Sequence, residues 1–443
     1  MRVLWLSPVL LTDRDEGGGT WLRAIAAHLL RAGGVTLGNV TAAPLSRPIR
    51  QDYDGINQWL VPGIHNSIRN ELPAEKAIRD IVGAAKEFQP DIVHVWGTEY
   101  FWGLLTARKF LPYPSLLEIQ GLKGPYSRAF SGGLSFKEVV ACTGVRELLR
   151  SCTILQAKKK FAEWGCIEKE IISKHSNITT QSPWVEAWVR LLNPSCNLFH
   201  TELVLRDAFY ECEPWKLSGN PVIFTSSVAS VPYKGLHDAI RAVAIVRDRI
   251  PTIKLRIAGG HQKKGIRQNG YIRWINQIIK RHDLTQNVDW LGPLSAKEIV
   301  RELAGCAAAL VPSHCETYCV AFAEAMHIGA PLVTSFTGGT AWLGKDEQSA
   351  LFYPAGDETM CAHQLWRLLT DPKLAESLSQ KGREVALVRN DPRSIVANQL
   401  EIYRSILGKS ESNLAAEKYP GTYSNNPPDA NFATAFMKRA NGY

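Results

Sequence analysis

From residue 222 to residue 353, short apolar runs alternate with amphipathic stretches in strict strand–helix order, and few folds accommodate that pattern. The runs at 222–226, 254–258, 288–291, 307–311, 331–334 and 350–353 are brief and bounded by turn residues, as strands covered on both faces are. Between them, Leu236, Ile240, Val243 and Ile250 share one helical face, and 272–279 forms a second helical pattern. A third helix, carrying Ile299 and Leu303, opens at Ser295 with Glu298 three residues on, the spacing of a capping box. The chain therefore predicts an α/β fold, a parallel sheet wrapped by helices.

The N-terminal half repeats the theme less tidily. Strands are predicted at 3–6, 92–95, 116–119 and 178–181, and helices at 21–31, 74–88 and 100–109. Residues 124–174 are polar, basic and partly helical, and read as an insertion in the wrapping of the first sheet. At 443 residues the chain exceeds the size at which one core stops growing. Turn residues at 212–220 divide it into domains 1–213 and 214–390. A helix over 391–408 follows, with Asp391 as cap and Pro392 at its first position. The aperiodic tail, 409–443, is expected to be disordered.

No apolar stretch approaches the roughly 20 residues that span a bilayer. The first residues read as a strand rather than a secretory leader, and a cytoplasmic protein is expected. Nine singly scattered cysteines argue against a disulfide framework. His314, Cys315 and Cys319 lack the further ligands of a zinc site, so no metal is expected. A net charge of +9 points to anionic partners, without any nucleic-acid fold signature. The basic stretch 146–160, with Leu148, Leu149, Ile154 and Leu155, suits either a solvated face or peripheral contact with the anionic inner face of a membrane.

Chemistry concentrates at Glu316 and Glu324, which are separated by seven residues in the chain. The first falls on the loop after a predicted strand, the second in the helix that follows and ends at Gly329. Open α/β sheets bind ligands at that edge, and a helix N-terminus favours anions. Two carboxylates there suit a ligand with hydroxyls and phosphate. The ordered set Pro312-Ser313, Glu316, Tyr318, Glu324-Ala325-Met326, Gly329-Ala330-Pro331, Gly338-Gly339 and Gly356-Asp357 resembles the E-x7-E family of retaining glycosyltransferases. The resemblance runs to about residue 407. It implies two doubly wound Rossmann-like domains (GT-B) facing each other across a cleft, with the C-terminal helix returning to the first.

The same resemblance assigns roles. Glu316 would lie by the donor sugar and Glu324 by the ribose hydroxyls, with the amides of Thr317, Tyr318 and Cys319 near the sugar and diphosphate. Thr317 and Cys319 replace family glycines, and their Cβ atoms narrow the sugar pocket. Lys234, before Gly235, would stabilise the leaving diphosphate. Ser226 and Ser227 stand where many relatives carry an arginine. Gly18 and Gly19 would face the donor from the first domain, and Gly259 joins the substrate-binding set. Gln120 takes the place of a family histidine and cannot titrate. Glu99 suits either the steering of an acceptor hydroxyl or a helix cap, and Trp96, Tyr100, Phe101 and Trp102 suit either sugar stacking or core. The implied activity is transfer of a sugar from a nucleotide diphosphate sugar to a saccharide or lipid-linked saccharide acceptor, with retention, without metal or other cofactor, in surface polysaccharide or glycoconjugate synthesis. The departing phosphate would take the acceptor's proton. A nucleotide-sugar 2-epimerase and a non-catalytic sugar-binding or scaffold relative are the alternatives.

Overall fold

The computed structural model describes residues 1–12, 19–62, 72–226, 230–259 and 268–408. In chain order the first sheet comprises β1 (Arg2–Leu6), β2 (Thr36–Ala42), β3 (Ile49–Tyr53), β4 (Ile56–Val61), β5 (Ile92–Trp96), β6 (Ser115–Glu118), β7 (Asn177–Thr180) and β8 (Asn197–His200). The second comprises β9 (Val222–Thr225), β10 (Lys254–Ala258), β11 (Val288–Gly292), β12 (Ala308–Val311), β13 (Leu332–Phe336) and β14 (Leu351–Pro354). Every strand expected in the second half is present.

The second sheet is parallel, in the order β11-β10-β9-β12-β13-β14. That is a doubly wound sheet whose winding reverses between β9 and β12. The first runs β3-β4-β2-β1-β5-β6-β7-β8 and reverses between β1 and β5. Only its β3–β4 hairpin is antiparallel.

Four strands of the first sheet escaped the sequence reading: β2, β3, β4 and β8. Gly38 and Asn39 interrupt the apolar run of β2, yet Asn39 is buried because its side chain pairs with Ser7 and Gln58. The β3–β4 turn is Asp54-Gly55, both at positive φ (50° and 78°). An Asp-Gly dipeptide between two strands was a readable hairpin signal.

The insertion corrects a second expectation. It is largely helical (Lys123–Ala129, Phe136–Ala141, Val145–Leu149 and Ile154–Lys174) and does more than wrap the first sheet. Phe130, Leu134, Val139, Cys142 and Ile154 pack into the core of the second domain. Glu138 pairs with Arg241, and Gly132 O accepts from His237 Nε2 at 2.7 Å. This segment straps the lobes together.

The terminal helix, Pro392–Ile406, is capped by Asp391, whose Oδ2 accepts from the Ser394 amide at 2.9 Å. It lays Ile395, Val396, Leu400, Ile402 and Tyr403 against Val3, Trp5 and Leu22 of the first domain. Burying each such side chain contributes roughly 1.5–3 kcal/mol. Tyr403 Oη also meets His94 Nδ1 at 2.7 Å. Residues 409–443, expected to be disordered, lie outside the described residues.

Candidate active site

The points where the two sheets reverse face each other across a cavity of about 370 Å³. The first domain contributes Trp21, Glu99, Gln120, Tyr126, Gln181 and Leu203; the second contributes Ser226, Lys234, Glu316, Thr317, Tyr318, Cys319, Val320 and Ala321. Among these described lining residues Lys234 is the only cation.

Lys234 closes a short 3-10 turn, Pro232–Lys234, and Gly235 follows at φ 71°. A Cβ at Gly235 would strike Pro312 O, so glycine lets the turn seat against the loop after β12. There Lys234 Nζ donates to Glu316 Oε1 at 2.7 Å, and Ser313 Oγ donates to the same oxygen at 2.7 Å. Burial is the largest single influence and works against the ammonium charge, but Glu316 together with Tyr233 and Cys319 outweighs it and raises the lysine above its ordinary range. Gly338 and Gly339 lie against the backbone of Glu316 and Thr317, where a Cβ on either would collide. The Gly-Gly pair thus holds the glutamate loop.

Thr317 does more than narrow the pocket. Its Oγ1 donates to Gln120 O and lies 3.2 Å from Tyr126 Oη, its amide donates to that phenol at 3.2 Å, and its carbonyl accepts from Ser182 Oγ at 2.8 Å. One residue of the second domain thus fastens three of the first, two through its side chain and one through its carbonyl. Its amide is therefore engaged within the protein rather than open to a ligand, which corrects that part of the expectation. Thr317→Val preserves volume and removes the Oγ1 bonds, each worth about 0.5–1.5 kcal/mol. Amide hydrogen exchange at residues 120–126 and 312–320 is expected to quicken in the variant; unchanged exchange would contradict the fastening role.

The Tyr318 ring is buried in the second core, and its Oη meets Asn390 Nδ2 at 3.0 Å, so the side chain is structural. Cys319 caps the following helix, Val320–Ile328, at φ 101°. A side chain there carries strain that a glycine escapes.

Glu324 departs from the expected convergence with Lys234. It lies on the helix beneath the cavity and is not among its lining residues; Oε1 accepts from Arg206 at 2.8 and 3.2 Å. Arg206 was invisible to the sequence reading, since its pairing depends on how the lobes meet. Gly19 is also absent from the lining. Its φ of 83° begins the first helix and it packs on Val9, which accounts for the glycine. Gly259 likewise sits off the cavity at φ 77°, its amide donating to Gly292 O at 2.7 Å. Gly18 and Ser227 lie outside the described residues. His314 turns from the two cysteines to Asp238, 2.6 Å away, while adjacent His237 already has Tyr271 Oη and Gly132 O on its ring nitrogens.

Glu99 is not a helix cap: the helix Trp102–Ala107 begins beyond it, with Phe101 at the cap position. Its carboxyl is wedged between Gly97 and Gly121, at the ends of β5 and β6, where a Cβ on either glycine would collide with it. Burial pushes it up to about 7, against the pull of nearby backbone amides and Lys123. Trp96, Phe101 and Trp102 are buried and belong to the core. Trp21, Tyr126 and Gln181 were not anticipated as lining residues.

Paired doubly wound domains with a carboxylate–lysine pair at the facing edges define a two-Rossmann-fold protein. Residues 212–385 match the sequence model of the glycosyl transferases group 1, and the second domain belongs to that family. The uncharacterized glycosyltransferase YqgM of Bacillus subtilis is 26% identical over 180 residues, 41% of this chain and 48% of that protein. The chain thus spans about half the length of that relative. Sucrose-phosphate synthase from Thermosynechococcus elongatus superposes with a TM-score of 0.70 over 92% of this chain and 100% of that one, at 18% identity. Anabaena HepE in complex with UDP-glucose superposes with a TM-score of 0.63 over 90% and 99%, at 16% identity. At such identities the likeness establishes the fold.

Proposed function

We propose that the protein is a glycosyltransferase. It transfers a sugar from a nucleotide diphosphate sugar to a saccharide or lipid-linked saccharide acceptor, with retention at the anomeric carbon and without a metal. The observation that carries this reading is the Lys234–Glu316 pair at the cavity wall, flanking the reversal of the second sheet. An ammonium there can stabilise charge developing on a departing diphosphate, and a carboxylate can hold sugar hydroxyls and steady positive charge at the anomeric carbon. That HepE holds UDP-glucose makes a uridine nucleotide the first donor to try.

Glu324 would meet the ribose from below, sharing its carboxylate with Arg206. Closure of the lobes excludes water from the activated sugar. Surface polysaccharide or glycoconjugate synthesis is the role these substrates suit. The insertion exposes Phe136, Val140, Val145, Leu148, Leu149 and Leu155 beside Lys137, Arg150 and Lys159, a face fitted to an anionic bilayer reached from the cytoplasm. Ile154, grouped with that face from the sequence, is buried instead.

A thermal-shift screen against UDP-, GDP- and ADP-sugars tests the reading, since a ligand selective for the native state raises the melting point by mass action. One sugar nucleotide is expected to stand out, and NMR of its transfer product should show the donor's anomeric configuration. Inversion would refute the mechanism, and no shift with any donor would refute the assignment.

A further inference from the structure

Lys234 and Glu316 reach the cavity from two loops, and a buried contact that the transfer chemistry leaves unused ties those loops together. Asp238 lies in the first turn of the helix Leu236–Arg247, four residues beyond Lys234, and its amide donates to Gly235 O at 3.0 Å. Its Oδ2 accepts from His314 Nε2 at 2.6 Å, and His314 stands two residues before Glu316. The two side chains are 10% (His314) and 3% (Asp238) exposed, and neither lines the cavity. A carboxylate is costly to bury unless it is paired, so this bond is what lets Asp238 sit inside the domain.

The His314 ring occupies a closely built seat. A Cβ at Gly133 or Gly356 would come to 3.4 or 3.2 Å from its Cε1, and the His237 ring stacks on it with centroids 5.8 Å apart and planes 13° from parallel. His237 has one tautomer available. Gly132 O can only accept, so Nε2, 2.7 Å away, carries the proton, and Nδ1 accepts from Tyr271 Oη at 2.8 Å. Burial lowers His237 below the ordinary imidazole range, in keeping with that neutral form. Its Nε2 lies 3.3 Å from Asp238 Oδ1, so His314 is the closer partner of the carboxylate.

We propose that Asp238 is a positioning residue: acting through His314, it fixes the loop from which Glu316 reaches the donor. The inference rests on the glycosyltransferase reading and deepens it. Glu316 Oε1 is held by Lys234 and Ser313. A diphosphate that draws on the Lys234 ammonium weakens the first of these holds, whereas the Asp238–His314 bond lies off the cavity and outlasts the arrival of substrate. The loop backbone is fixed from other sides, by the His314 amide on Tyr233 O and by Thr337 Oγ1 on His314 O, both at 2.7 Å. The side-chain bond adds a fixed separation between the Lys234 turn and the Glu316 loop, because Asp238 stands on the helix that the turn opens. Neither residue touches sugar or nucleotide, so its loss falls on the reaction step rather than on donor binding.

The test is steady-state hydrolysis of whichever of UDP-, GDP- or ADP-glucose gives the largest thermal shift, with the melting point of each protein recorded alongside. Asp238→Ala should lower kcat by about 10- to 100-fold, the upper figure being the cost of misplacing a reacting group by roughly 1 Å, with KM for the donor within about twofold of wild type. His314→Ala breaks the pair from its other end and should show the same split; either variant decides the matter where the other does not fold. Asp238→Asn keeps an acceptor for His314 Nε2 and should recover most of kcat. Because the two residues act as one unit, the double alanine variant should be no more than about twofold slower than the slower single one. If Asp238→Ala keeps kcat within about twofold of wild type, or the single losses multiply in the double variant, Asp238 does not act through His314, although the transferase reading survives. A loss that raises KM as much as it lowers kcat, without recovery in Asp238→Asn, makes the pair a stability element alone and likewise overturns the proposal. If no donor shifts the melting point of the wild type or is hydrolysed by it, the underlying reading fails and this inference falls with it.

Discussion

Lys234→Met is expected to lower kcat by about two to three orders of magnitude, the range for removing one preorganised donor at developing negative charge. No other cation lines the described part of the cavity, so nothing adjacent can substitute. Methionine preserves the stem and the seat of Gly235 against Pro312, which isolates the ammonium as the cause. Glu316 keeps the hydrogen bond from Ser313 Oγ in the variant, which limits the cost of the change. Steady-state kinetics with circular dichroism checks this: a large loss in kcat with a native spectrum is the expected pair. A kcat within fivefold of wild type would remove Lys234 from the mechanism.

Arg206→Met should be the most damaging change to stability. The Arg206 and Glu324 side chains are only 12% and 6% exposed and meet at 2.8 Å. Removing one partner of such a pair leaves a buried charge and costs about 3–5 kcal/mol. Replacing both, as Arg206→Met with Glu324→Leu, should recover much of the loss, because no buried carboxylate then faces the lost guanidinium. Denaturant melts of the two variants check this. If the single variant loses less than about 1 kcal/mol, the pair is solvated and the value expected of a buried bridge does not apply. The same pair bears on function, since a ribose bound at Glu324 must share its carboxylate with the guanidinium.

Features fixed by nearby residues were legible from the chain alone. Ser295 with Glu298, Asp391 before Pro392, and Gly329 each mark a helix end through a contact within a few positions, and each forms as expected. The alternation of apolar runs gave the second sheet, and the placement of Glu316 and Lys234 in one crevice followed from two loops at the same sheet edge, though their direct ion pair did not. The illegible features depend on how the lobes meet. Tyr126 and Ser182 reach Thr317 across separations of 191 and 135 residues, and Arg206 reaches Glu324 across 118. No periodicity encodes such a meeting. Gly19 and Gly259, assigned to ligand binding from the sequence, each stand at a positive φ, which is by itself sufficient reason for a glycine.

The most direct measurement is release of nucleoside diphosphate from the preferred sugar nucleotide by wild-type protein and by Glu316→Gln, matched for melting temperature. The carboxylate at the cavity wall should be indispensable, with release by the variant reduced at least about 100-fold, a loss of some 2.7 kcal/mol in barrier lowering. Equal release by the two proteins would place the chemistry elsewhere in the molecule.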